Sequence, residues 1–338
     1  MNEPGVGVYE VDFKDRKGWL LFFGICQCIL GILSALAIPA MLMGIVLSAI
    51  NPEVAAQTNT SVMQVIPAVL VYALAAGWFV TMGIGSVRCR RWARALTLVA
   101  SWFWLFSGVC GFVLVISFMG KIFFTNLSDV KDLPPGFAVI MIAIMAVFML
   151  VLYVLVPLTL VLFYGGKNVK ATCEHWDEKV RWTDKCPLPV IGMGLVFFLW
   201  GACLPFMAIN NWVFPFFGTV MDSYAGAGAG LCLSSLCILL AWRLYKLDIR
   251  ALWGGVAVVC LWFTSMIMTF AGDSFWVYNE KITKNPEQLE LMKDSNFQSM
   301  MIIMLGIWAV GLLGYLILIK RYFKKDSLQD RGLILEKL

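Results

Sequence analysis

Eight stretches of this chain run for 20 residues or more with almost nothing in them but apolar side chains, and that pattern decides what the chain can become. They cover residues 19–50, 65–86, 95–120, 137–163, 190–213, 225–245, 251–271 and 300–319. None contains aspartate, glutamate or lysine, and the only arginine in them is Arg243, near the end of the sixth. About 20 helical residues cross the hydrocarbon core of a bilayer, where a helix satisfies its own backbone groups without water. The sequence therefore predicts an all-α polytopic membrane protein with eight transmembrane helices. Composition agrees: 61% of the chain is hydrophobic and 14% charged, whereas soluble domains are about half apolar and a quarter charged. The first run exceeds the roughly 7–15 residue core of a signal peptide and is expected to remain in the mature protein.

Orientation follows from lysine and arginine, which accumulate in cytoplasmic loops. With eight spans, one side carries 21 of them and the other 5. Both termini and the central stretch 167–189 are thus expected on the cytoplasmic side. Of the ten cysteines, seven fall in the apolar runs, while Cys89, Cys173 and Cys186 fall on the basic side. A structural disulfide framework is not expected there. Two sequons, at Asn59 and Asn126, fall on the opposite side, where chance tripeptides are common.

Stretch 167–189 divides the runs into four and four. The sequence reads as an N-terminal four-helix half (1–166), an amphipathic connector (167–189) and a C-terminal half (190–338) with a short basic tail. Arg94-Ala95-Leu96 and Arg250-Ala251-Leu252 follow basic clusters at the third and seventh runs, which suggests an internal repeat. Four spans return the chain to its starting side, so such repeats would be parallel about an axis along the membrane normal.

Within the runs no ionisable group is placed at depth, which disfavours proton relays, voltage sensing and carboxylate-held sodium. Prolines give the candidate binding positions. Pro39 in the first run and Pro205 in the fifth are expected to interrupt helices at equivalent places, freeing the carbonyls four residues back at Ala35 and Gly201. Those oxygens would hold a ligand or only a water. The Ala-Gly run at 225–230 contains Gly226 and Gly230 four apart, spacing that lets another helix approach. In the 272–299 loop, Asn285-Pro286-Glu287-Gln288 reads as the start of a short helix.

The connector holds the only histidine of the chain, His175, between Cys173 and Cys186. Paired-ligand spacing is absent and no second histidine exists, so a zinc site is not expected. Residues two apart on a helix point away from each other, which equally weakens a Cys173–His175 nucleophile. Helical periodicity over 168–180 instead places Val169, Cys173, Trp176 and Val180 on one face, and Lys170, Glu174, Asp177, Glu178 and Arg181 on the other. Asp177 and Arg181 stand in favourable order for an ion pair. The connector is thus predicted to be an interfacial amphipathic helix ended by Pro187 and Pro189, with Lys170, Glu174, Trp176, Asp177, Arg181 and Trp182 as a contact surface.

The segment FYGGKNVKATCEHWDEKVRWTDKCPLP, together with RRWARAL before the third run, resembles a family of bacterial multi-pass membrane proteins without a characterised function. The resemblance implies a bacterial inner membrane and no activity. No catalytic residue, cofactor, metal or nucleic-acid partner is expected. The bilayer, a protein at the cytoplasmic face and a second copy of the chain are the candidate partners. A tag on the C-terminus should be degraded by protease added to the cytoplasmic side of sealed vesicles and protected from the other side; the reverse pattern overturns this topology.

Overall fold

The computed structural model describes residues 13–50, 62–128, 137–283, 289–290, 293 and 297–335. Eight helices in it are long and apolar enough to cross a membrane. They lie in α1 (Lys17–Ile50), α2 (Val62–Val87), α3 (Arg91–Ser128), the α4–π–α5 series (Phe137–Leu150, Val151–Leu155, Val156–Gly165), α7 (Leu188–Cys203, continued by a 3₁₀ segment Leu204–Asn210), α8 (Ser223–Tyr245), α9 (Ile249–Ala271) and α11 (Phe297–Leu335). Shorter α6 (Lys167–Trp176) and α10 (Ser274–Ile282), the 3₁₀ turn Trp182–Asp184, and the two strands β1 (Phe214–Phe216) and β2 (Thr219–Met221) complete the described elements. The fold is the all-α polytopic one that the apolar runs dictate. The short helix expected from Asn285 lies outside the described residues, as does Asn59. Asn126 falls within α3, which continues eight residues past its apolar run.

The chain folds as two interleaved compact units, residues 1–98 with 159–184 and residues 99–158 with 185–338. The boundaries fall inside α3 and α5.

In the first unit α1 and α2 pack antiparallel through glycine. A Cβ on Gly24 would lie 2.8 Å from the Gly83 carbonyl, one on Gly83 would lie 2.7 Å from the Gly24 carbonyl, and one on Gly31 would lie 2.6 Å from Val80. Lipid tails are as apolar as the helices, so close backbone contact rather than the hydrophobic effect supplies the attraction. Pro39 does not interrupt α1, which runs through it as one helix. Its ring is exposed, as is Ala35. The expectation of a broken first helix is therefore corrected: a proline in a span is tolerated when neighbouring turns absorb the lost bond.

The second unit buries Val190, Met193 and Phe197 of α7 with Leu244 of α8, Val259 of α9 and Leu316 of α11. Here proline does change the helix. Beyond Cys203 the chain tightens into the 3₁₀ segment containing Pro205. The carbonyl freed at Gly201 accepts a 2.6 Å bond from Ser234 Oγ of α8. In the fourth span the π segment Val151–Leu155 precedes Pro157, and the freed Tyr153 carbonyl lies against Gly108.

The Ala-Gly run at the start of α8 receives a loop instead of the expected helix. The Trp212 carbonyl seats on Gly226, and the Trp212 ring lies 3.5 Å from a Cβ position on Gly230. From there the chain forms the β1–β2 hairpin, with Phe216 opposite Thr219. Its two-residue loop has positive φ at Phe217 (40°) and Gly218 (87°), the arrangement of a primed hairpin turn. Hydroxyls of α9 hold the tip: Phe217 N donates to Ser265 Oγ at 2.9 Å and Gly218 N to Thr269 Oγ1 at 3.1 Å.

Both short turns at the basic helix entries use the same device. One non-glycine residue takes positive φ two positions before the next helix, Cys89 (50°) before α3 and Leu247 (58°) before α9. Replacing Gly83 by valine should lower stability by about 1–3 kcal/mol through overpacking, read as a lower thermal midpoint in detergent. The same change at Gly77, where a Cβ meets nothing within 4 Å, should leave the midpoint unchanged.

Candidate functional site

The connector forms its site in the first unit, and one residue organises it. Asp177 follows the last residue of α6, and its side chain is 1% exposed. Its Oδ1 accepts from Arg90 at 3.1 Å and from Arg181 at 2.9 Å. Its Oδ2 accepts from the Arg91 backbone N and from Arg181 Nε, both at 3.2 Å. Arg91 then turns to the main chain, donating through Nε to the Asp177 carbonyl at 2.6 Å and through its terminal nitrogen to the Glu174 carbonyl at 3.1 Å. A helix leaves its last carbonyls without partners, and basic side chains near the C-terminus satisfy them. Arg91 therefore caps α6 while its backbone N–H binds the same aspartate.

That clamp corrects two expectations. The helix ends at Trp176, not near Val180, because Asp177 leaves helical geometry (φ −127°, ψ 82°) to meet the arginines. The faces also rearrange. Val169 and Cys173 are buried as the periodicity predicts, but Trp176 is 49% and Val180 68% exposed, while Asp177, expected on the solvent face, is inside. Periodicity stops at the last helical residue, so the positions beyond it carry no helical face. Lys170, Glu174 and Trp182 are exposed and Arg181 is half-buried. Arg181 does pair with Asp177 four residues back, and its backbone N donates forward to Asp184 Oδ2 at 2.8 Å.

The chain before α1 is fastened to the same end. Arg16 N donates to Thr172 Oγ1 at 3.0 Å, Lys17 Nζ sits 3.4 Å from the centre of the Trp176 ring, and the His175 ring lies tilted 5.8 Å from that of Phe13. Deeper in the unit, Tyr164 Oη lies 2.9 Å from Ser86 Oγ and receives a 3.5 Å bond from Gln27 Nε2.

Burial pushes the Asp177 carboxyl upward, but the hydrogen bonds and charges of Arg181, Arg91 and Arg90 outweigh it and hold the group below the usual carboxylate range. The aspartate in turn raises the Arg181 guanidinium. Burial pushes the Cys173 thiol up to about 12, and the Cys89 thiol also rises by burial. Only the thiolate is a nucleophile or metal ligand, and burial disfavours it at both cysteines. Among the described residues no three histidine, cysteine or acidic side chains gather as metal ligands.

Of the proline-linked positions, Ala35 and Pro39 are exposed on α1, Pro205 is exposed in its 3₁₀ turn, and Gly201 is buried with its carbonyl bound by Ser234. The sequence reading missed Arg90 and Arg91 as partners of Asp177. They lie more than 80 residues away, and local patterning carries no signal for that pairing.

Fold and site define a multi-pass α-helical integral membrane protein whose polar connector is clamped by a buried carboxylate. Comparison with protein-family models, curated proteins and solved structures gives no match in any of the three.

A depressed carboxyl stabilises the folded form at pH values above its unfolded pKa of about 3.9. That stability is lost as pH falls through the lower folded value. Limited proteolysis of the connector should therefore accelerate only below about pH 4 in the wild type. Asp177→Asn should be cut faster at neutral pH and lose the acid step. Asp177→Ala should cost about 1.5–3 kcal/mol, the range for hydrogen bonds to a charged group, read as a drop in thermal midpoint.

Proposed function

We propose that this chain is a non-catalytic multi-pass membrane protein that acts by contact, in membrane assembly or protein interaction, through the connector. One observation carries the reading: the Asp177 clamp fixes the connector while Trp176 and Trp182 remain exposed beside it. A fixed surface loses little conformational freedom on binding, and tryptophan is among the residues that dominate contact energies. The excess of lysine and arginine supports a cytoplasmic position for this surface and both termini. The family resemblance of the connector adds a bacterial inner membrane. The partner is a protein at that face or a second copy of the chain. The parallel-repeat reading of the two halves rests on the paired Arg-Ala-Leu entries and on the shared positive-φ turns at Cys89 and Leu247.

Transport of a neutral or weakly polar molecule is the competing reading, and it relies on the carbonyls at Ala35 and Gly201. Ser234 already donates to the second, and α1 continues as a helix through Pro39. Both features weigh against a ligand site built on the two prolines.

In mild detergent, crosslinking of the full-length chain should recover a specific partner that Trp176→Ala/Trp182→Ala loses while its thermal midpoint stays at the wild-type value. Recovery of the same partner when residues 168–186 are replaced by a neutral linker, or of no partner by the wild type, would remove the proposal. Uptake of a small neutral solute into liposomes that is abolished by Pro39→Ala/Pro205→Ala would favour transport instead.

A further inference from the structure

The polar end of the first unit holds more positive charge than its own acids neutralise. The Arg90 and Arg181 side chains pair with the carboxylate of Asp177 and are only partly covered, Arg91 meets it through its backbone N–H, and Arg88 stands exposed one residue before the Cys89 turn. The same unit has, at Arg94 and Thr183, two buried polar atoms without a hydrogen-bond partner among the described residues. One is Arg94 Nε; the other is Oγ1 of Thr183, a residue that is 4% exposed. Arg94 lies within electrostatic reach of Cys173, Glu174 and Asp184, the last being the neighbour of Thr183. It sits one turn beyond Arg91 on α3, about 4.5 Å further along the axis, at the entrance of a candidate span.

An unbonded guanidinium N–H and a hydroxyl call for an acceptor, and surplus arginine charge calls for an anion. Phosphate supplies both, because its oxygens match the planar fork of a guanidinium. The depth selects the source. Arginines at a span entrance reach the headgroup layer, and exposed tryptophans favour the same layer. Trp176 and Trp182 are exposed at this end.

We propose that the polar end of the first unit binds the phosphate of an anionic phospholipid, with Arg94 and Thr183 as inner donors and Arg88, Arg90 and Arg181 as the surrounding charge. This deepens the contact-surface reading by naming a lipid occupant for the same end, and rests on that reading only for placing this end at a bilayer surface. Asp177 is the internal counter-ion that keeps the arginines apart and aimed, and the lipid phosphate meets the charge it leaves over.

The test titrates the full-length protein in neutral detergent with phosphatidylglycerol or phosphatidylcholine and counts bound lipid by native mass spectrometry. The wild type should prefer phosphatidylglycerol. Arg94→Gln should weaken that binding about fivefold and Arg88→Gln/Arg94→Gln about 25-fold, as expected for basic residues beside anionic lipid. Arg88→Gln alone removes an exposed charge outside the clamp, so its fivefold loss should come with a wild-type thermal midpoint in phosphatidylcholine. Equal affinity for the two lipids, or full phosphatidylglycerol binding by the double variant, overturns the proposal. Displacement of the lipid by an equal concentration of inorganic phosphate would assign the site to a soluble anion and equally overturn it. Partner capture that Arg94→Gln leaves intact and Trp176→Ala/Trp182→Ala abolishes would show that the protein-contact reading stands or falls separately.

Discussion

A polar group inside a bilayer has no water to turn to, and most of the specific structure in this protein answers that constraint. The helices satisfy their own backbones. What they leave over is met by small hydroxyls at named places. Ser234 takes the carbonyl that Pro205 releases at Gly201, and Ser86 meets the Tyr164 phenol. The apolar runs explain why a membrane protein forms. These hydroxyls explain why its helices adopt one arrangement rather than several.

Attraction between the helices has the same origin. Without a hydrophobic difference between lipid and protein, packing depends on how closely backbones approach. Gly24 and Gly83 stand opposite each other on α1 and α2 with no room for a methyl group between them. At the membrane boundary, where water returns, the protein changes method and uses charge. The buried Asp177 joins the turn before α3 to the segment after α6, and Arg91 closes the helix end with its side chain while its backbone N–H helps to hold the carboxylate.

The eight spans were legible because each is a long local pattern, and the location of the site was legible because the connector is the longest polar interruption between spans on the basic side. Its internal geometry was not. Helical periodicity placed Val169 and Cys173 correctly within α6, then misplaced Asp177 and Val180, which lie beyond the helix end where Arg90 and Arg91 intervene. The β-hairpin was hidden for a similar reason. Its turn residues, Phe217 and Gly218, lack the Asn-Gly or Asp-Gly signature of such loops, and the positive φ at Phe217 is held by hydroxyls from α9. Proline was ambiguous in the sequence because its effect depends on its neighbours, tolerated in α1 and helix-tightening after α7.

The hairpin tip also bears on biogenesis. Phe217 and Gly218 precede their hydroxyl partners Ser265 and Thr269 by 48 and 51 residues. During synthesis the loop emerges before α9 exists, so these two bonds form only after that span has been made, and the hairpin is completed by an element that follows it in the chain.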